Sequence, residues 1–260
     1  MEIELLEKSK DGMKITFLAR GITPAIANTI RRAISEEVLT FAIEEVEFRK
    51  NGSVLYDEII AHRLGLIPLK TDLKSYEFVG PDKSMEELSA KQRVTFTLKA
   101  KGPCIVYASE LESSDKSVVP VYPGMPIATL SKGQSLELAA TAVLGKGKNH
   151  SKWSPGHAYY YNETKITVNN DSSLLEKFRN KYPPQIFGKD GSIDKSLINR
   201  PELIDACDGI SKLIEIEKKE DSFIFVLESW GQLTPKEIVL EAIEQINMQL
   251  DEVCGLIKEK

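Results

Sequence analysis

Few residues in this chain have the types and spacing for chemistry. The three histidines, His62, His150 and His157, are the side chains whose unperturbed charge change falls near neutral pH. His62 follows Asp57 and Glu58 in YDEIIAHRLG, and on a helix Glu58 and His62 are neighbours. That pair has the types for proton transfer, but also for a structural hydrogen bond near an interface, which is the expectation here. His150 and His157 flank irregular sequence with no cysteine nearby, a poor spacing for a metal. The chain has no phosphate-binding Gly-x-x-x-x-Gly-Lys-Ser/Thr loop, no Gly-x-Gly-x-x-Gly opening a helix and no Gly-x-Ser-x-Gly. No catalytic residue and no metal site are expected.

The remaining polar groups are arranged for contact. Gly145 to Pro155 reads GKGKNHSKWSP, basic and glycine-rich, with Lys146, Lys148, His150, Lys152 and Trp153. Its glycines allow close backbone approach. It opens no expected helix, however, so it lacks the helix N-terminus that makes such loops good anion sites. Asn28, Arg31 and Arg32 share one face of an expected helix whose other face is apolar. Arginine forks suit carboxylates, carbonyls or phosphates equally, and an exposed solvated face reads the same way.

These groups depend on elements that the pattern outlines. Ile3 and Leu5, then Met13, Ile15 and Phe17, mark two strands joined at KSKDG. Thr23 and Pro24 cap a helix carrying Ile26, Ile30, Ala33, Ile34 and Val38 on one face. FAIEEVEFRK is a strand ending at NGS, and a short helix over LYDEIIAHRLG stops at Gly65 and Pro68. Residues 71–91 read as loop, 93–143 as mostly β, and HAYYYNETKITV as a strand. Residues 171–212 read as helix, short hairpin and helix, and LIEIE and FIFVLES as a hairpin turning at KKED. Thr234, Pro235 and Glu237 form a capping box. In the helix that follows, Val239, Ile243, Ile246, Leu250, Val253 and Ile257 alternate steps of four and three, a heptad-like seam. The seam fits either the chain's own core or a helix from another chain.

Composition narrows the class. The chain has 260 residues, 42% hydrophobic, with formal charge −5. The acidic balance argues against a surface built for nucleic acid as a whole. Three scattered cysteines, with no Cys-x-x-Cys, suggest neither a disulfide framework nor a cysteine-ligated metal. No apolar run reaches the ~20 residues needed to span a bilayer, and no secretory leader is expected. A cytoplasmic location is the expectation.

Four stretches, NTIRRAISEEVLTFAIEEVEF (28–48), YDEIIAHRLGLIPL (56–69), GKGKNHSKWSP (145–155) and FVLESWGQLTPKEIVLEAI (225–243), resemble in order the alpha-like assembly subunits of archaeal and eukaryotic multisubunit DNA-directed RNA polymerases. The resemblance implies an α+β fold with three parts. These are a dimerisation domain from both chain ends (1–42 plus 213–260), a mostly β insert domain (43–168) and a small ferredoxin-like subdomain (169–212). It implies a non-catalytic platform, active only within the nucleotidyltransferase holoenzyme. The seam from Val239 to Ile257 would pack on the small subunit L in a heterodimer. Asn28, Arg31 and Arg32 would face the second-largest catalytic subunit. The loop would dock on a large subunit through Lys146, Lys148 and His150, with Trp153 as apolar anchor. Asp57, Glu58, His62 and Arg63 match a structural, partner-facing element. The small subunits N and P complete the partners, and contact with nucleic acid is not expected.

One departure stands out. Many members of that family hold iron–sulfur clusters in the ferredoxin-like part, but Tyr182 stands where a cysteine would be and Cys207 alone remains there. A four-iron cluster takes about four thiolates, so the implied state is a subdomain held by packing alone, without a cofactor. The alternative to an assembly subunit is a freestanding nucleic-acid-binding protein using the basic loop 145–155.

Overall fold

The computed structural model describes residues 1–80 and 87–258. Of the loop expected over 71–91, residues 81–86 lie outside the described residues. The fold is mixed α+β, as expected. In chain order the elements are β1 (Glu2–Lys8), β2 (Lys14–Arg20), α1 (Pro24–Glu36), β3 (Leu39–Asn51), α2 (Asp57–Gly65), β4 (Arg93–Lys101), β5 (Cys104–Tyr107), β6 (Glu112–Ser113), β7 (Pro126–Leu130), β8 (Ser135–Lys146), β9 (Gly156–Val168), α3 (Ser172–Phe178), α4 (Pro201–Cys207), β10 (Ile214–Ser229) and α5 (Pro235–Lys258). Hydrogen bonds order the strands as β1-β2-β10-β9, β3-β8-β4-β6 and β5-β7. Among the described residues no helix is long and apolar enough to cross a membrane.

Two compact units divide the chain. The first comprises Met1–Leu6, Thr16–Ala27 and Tyr160–Phe225. In it Phe17 stacks on Phe225 with ring centroids 5.0 Å apart, and Tyr160 meets Phe223 edge-on at 5.5 Å. The KKED run corrects the sequence reading. It lies inside β10, a single strand of 16 residues rather than a hairpin. Neighbours on both sides satisfy the polar run: Gly21 and Ile22 donate backbone N–H to the Asp221 carbonyl, and Asn162 donates to the Lys219 carbonyl. Lys219 also pairs with Glu163 at 3.1 Å, and Lys218 with Asp205 at 3.4 Å. Exposed, paired charges keep the strand going where isolated ones would signal a turn.

Residues 171–212 fold as two short helices around a bridge between Phe187 and Ile193. The Asp171 carboxylate caps α3 by accepting from the backbone of Ser173 and Leu174. Tyr182, Ile186, Ile193, Ile198, Ile204, Cys207 and Leu213 close one apolar core, with Leu174, Leu175, Phe178 and Leu203 packed against it.

The second unit comprises Glu7–Ile15, Asn28–Tyr159 and Val226–Lys260. Its β core follows the period of two. Val94, Phe96, Leu98 and Ala100 of β4 are buried with Leu136, Leu138, Ala140, Ala142 and Leu144 of β8. Ile60 and Leu64 of α2 enter the same core. A second core joins Ala33, Ile34 and Val38, in and just after α1, to Ile238 and Ala242 of α5. Ile26, expected on the buried face of α1, is instead exposed, whereas its neighbour Ala27 is buried.

The start of α5 is set by the expected capping box. The Thr234 backbone N–H donates to Glu237 Oε2 at 2.8 Å, and the Glu237 N–H donates back to Thr234 Oγ1 at 3.4 Å. The Thr234 hydroxyl also donates to Glu237 at 2.7 Å and, with the backbone N–H, holds the carboxyl below its ordinary pKa. A depressed carboxylate stabilises the fold fully above the unfolded value and loses that contribution as pH falls through the folded one. Thr234→Ala is expected to cost about 1 kcal/mol. Glu237→Gln is expected to remove part of the stability lost below about pH 4.5. Urea unfolding at neutral and acid pH measures both.

Candidate protein–protein interface

The polar face of α1 is organised before any partner arrives. The Arg31 guanidinium donates through Nε and Nη2 to Asn28 Oδ1 at 3.1 and 2.9 Å. Arg32 forks onto Glu36, with Nη2 to Oε2 at 2.9 Å and Nε to Oε1 at 3.3 Å. These bonds are the three- and four-residue neighbours of a helix. The Arg32 hydrogen bond holds the Glu36 carboxyl below its ordinary range. Asn28, Arg32 and Glu36 line an open cleft with Lys148 and with Ile246 and Gln249 of α5.

The loop after β8 supplies Lys148 and is itself clamped. A Cβ on Gly147 would lie 2.1 Å from the Ser35 carbonyl oxygen, so only glycine lets the loop approach the end of α1. The Lys148 backbone N–H then donates to the Glu36 carbonyl at 3.0 Å. Lys146 Nζ lies 2.9 Å from Glu37 Oε2 and 2.9 Å from Gln245 Oε1, facing inward rather than toward a partner. Lys152 is tied to the Ile43 carbonyl at 3.0 Å and to the Glu44 carboxylate. Of the three lysines Lys148 alone is exposed.

Trp153 is the main correction to the site. It is 8% exposed and belongs to this chain's own fold. Its indole N–H donates to the Val143 carbonyl at 3.2 Å, and its backbone carbonyl accepts from Thr40 Oγ1 at 2.6 Å. Its ring occupies the space over Gly145, where a Cβ would sit 2.3 Å from a ring carbon. An apolar anchor for a partner has to be accessible, so Trp153 does not serve as one. His150 is exposed, with Nδ1 accepting from the Lys152 backbone at 3.0 Å.

On α2, Asp57 accepts from Asn51 Nδ2 at 2.7 Å and Arg63 donates to the Ile127 carbonyl at 2.9 Å. Glu58 and His62 are both exposed, and among the described residues no hydrogen bond joins them, contrary to expectation. The outward side of this region also exposes Val54, Tyr56, Ile59 and Leu66. Sequence reasoning passed over them. Their signal was the misfit of residues 54, 56 and 59 with the buried stripe of Ile60 and Leu64.

The α5 seam divides. Val239 and Ile246 are half-buried against the core of α1. Ile243 is 37% exposed, Leu250 58%, Val253 53% and Ile257 69%, and Leu240, Met248 and Leu256 are exposed as well. From Asn247 to Ile257 every residue is exposed.

Among the described residues no group of three or more His, Cys, Asp or Glu is arranged to hold a metal. Cys207 is buried and its thiol is pushed up by burial. Tyr182, also buried, sets its hydroxyl 2.9 Å from Ser211 Oγ. One buried thiol among isoleucines and a tyrosine does not fit an iron–sulfur cluster.

The family described as RNA polymerase Rpb3/RpoA insert domain matches residues 45–157, the segment that holds the β core. Over 257 residues the chain is 37% identical to DNA-directed RNA polymerase subunit Rpo3 of Pyrococcus horikoshii, covering 96% of this chain and 95% of that one. It is 37% identical over 258 residues to the Rpo3 of Thermococcus kodakarensis, with the same coverage. It is 33% identical to that of Methanosphaera stadtmanae over the full length of both. The four quoted stretches therefore point to the right relatives, and the chain belongs to the Rpo3 family of DNA-directed RNA polymerase subunits.

Proposed function

We propose that this polymerase subunit is a non-catalytic assembly platform whose primary partner is the small alpha-like subunit L. The observation that carries the reading is the last three turns of α5. They expose Leu250, Val253, Leu256 and Ile257, and among the described residues no other element covers them. A soluble helix rarely exposes such a row unless a partner buries it. The heptad-like steps suit a second helix. The cleft of Asn28, Arg32 and Lys148 is the surface offered to the second-largest catalytic subunit, and Arg31 and His150 are assigned to the same partner. Subunits N and P join the assembled platform. The division into a dimerisation domain (1–42 plus 213–260), an insert domain (43–168) and a subdomain (169–212) is part of the proposal. It is supported by separate apolar cores over 41–144 and 166–214. The subdomain carries no cluster, and the protein works in the cytoplasm. Lys146 and Lys152 are engaged within the chain, which leaves the loop poorly equipped for a phosphate backbone.

Co-expression with subunit L, followed by size-exclusion chromatography and metal analysis, tests this reading. A stable 1:1 complex without stoichiometric iron is expected. A well-behaved monomer that ignores L would overturn the platform, and one cluster's worth of iron would overturn the cofactor-free subdomain.

A further inference from the structure

Lys146 sits where three segments meet. Its ammonium reaches Glu37, just past the end of α1, and Gln245 of α5, at 2.9 Å each. Gln245 is 8% exposed, and its amide donates to Glu241 at 2.9 Å, which turns Oε1 toward the lysine. The side chains of Lys146 and Glu37 are mostly covered. Among the described side chains Gln245 is the last buried one of α5: Ile246 is half-buried and everything from Asn247 to Ile257 is exposed. The tie therefore acts where the helix leaves its own core. On the other side, the same loop is fixed to the end of α1 by Gly147 and the Lys148 N–H.

We infer that Lys146 is a positioning residue that fixes the direction in which α5 leaves the core, and so presets the exposed seam for its partner while the same loop holds Lys148 in the α1 cleft. This rests on the seam being the docking face for subunit L. Apolar packing through Ile238 and Ala242 fixes the first half of α5, but it is non-directional. A charge-assisted bond at the exit point adds direction. Preorganising a helix in its bound orientation lowers the ordering cost of association.

Lys146→Met keeps an aliphatic stem and removes both ties, together with the ammonium that lies 5.8 Å from the Phe78 ring centroid. In the full chain it is expected to weaken affinity for L about tenfold. Lys146→Arg, which can span Glu37 and Gln245, is expected to restore binding to within about twofold of wild type. Gln245→Met, which leaves the Lys146–Glu37 pair in place, serves if Lys146→Met does not fold, and is expected to weaken binding by about threefold or more. Hydrogen exchange of residues 239–250 in the uncomplexed chain gives a readout without the partner and is expected to speed up in both Met variants, which cut the tie to α5. Wild-type affinity in the Met variants, failure of arginine to rescue, or unchanged exchange would each overturn the inference. If the wild-type chain itself does not bind L, the platform reading falls, while exchange still decides whether Lys146 holds α5.

Discussion

Replacing Trp153 with alanine is expected to destabilise this subunit by about 3–5 kcal/mol. The ring is buried and fills the hollow left by Gly145, so truncation opens a cavity that the β8 backbone cannot close without moving. Two polar consequences add to the cavity. The Val143 carbonyl loses the indole N–H, and the Lys152 ammonium loses the aromatic face lying 4.4 Å beneath it. The Thr40 bond to the Trp153 carbonyl is a backbone contact and survives the substitution only if the single helical turn at 151–153 stays in place. Urea unfolding of the purified subunit, alone and with its partner, gives the number. A loss below about 1 kcal/mol would show that the ring lies on the surface, and would restore it as a docking anchor.

What the sequence made legible was local. The capping box at Thr234, the Thr23 and Pro24 entry to α1 and the alternation of Val94, Phe96 and Leu98 each depend on neighbours within a few residues. All three stand in the structure as read. The readings that changed depend on residues far apart in the chain. Trp153 in a basic glycine loop reads the same whether its ring points in or out; the deciding contacts come from Gly145 and from Thr40, 113 residues away. Lys146 looked like a surface cation because Glu37 and Gln245 lie 109 and 99 residues from it. KKED looked like a turn because the partners of those charges belong to other elements. The heptad steps of α5 marked the stripe but could not divide it. The division falls after Gln245 because the core of α1 ends there, a tertiary fact.

The second large effect belongs to the exposed half of that stripe. Leu250→Glu combined with Val253→Glu is expected to abolish the proposed complex with subunit L, by more than about a hundredfold in affinity, while leaving the subunit as stable as before. Both side chains are more than half exposed in the uncomplexed chain and touch none of its cores. Surface substitutions of this kind usually change folding stability by no more than ~0.5 kcal/mol, and two added carboxylates make the face more soluble. Buried under a partner helix, each carboxylate would have to lose its water without a cation provided for it. Ile246→Glu is the informative contrast. Ile246 packs half-buried against the core of α1 and α5, so the same chemistry there is expected to lower the unfolding midpoint as well as binding. Co-purification with tagged L, paired with unfolding curves of each variant, separates the two outcomes. If the double variant retains L at wild-type affinity, the seam beyond Gln245 is not the dimer face. The exposed apolar residues of β1 (Ile3, Leu5 and Leu6) and those around α2 (Val54, Tyr56 and Ile59) then become the surfaces to substitute next.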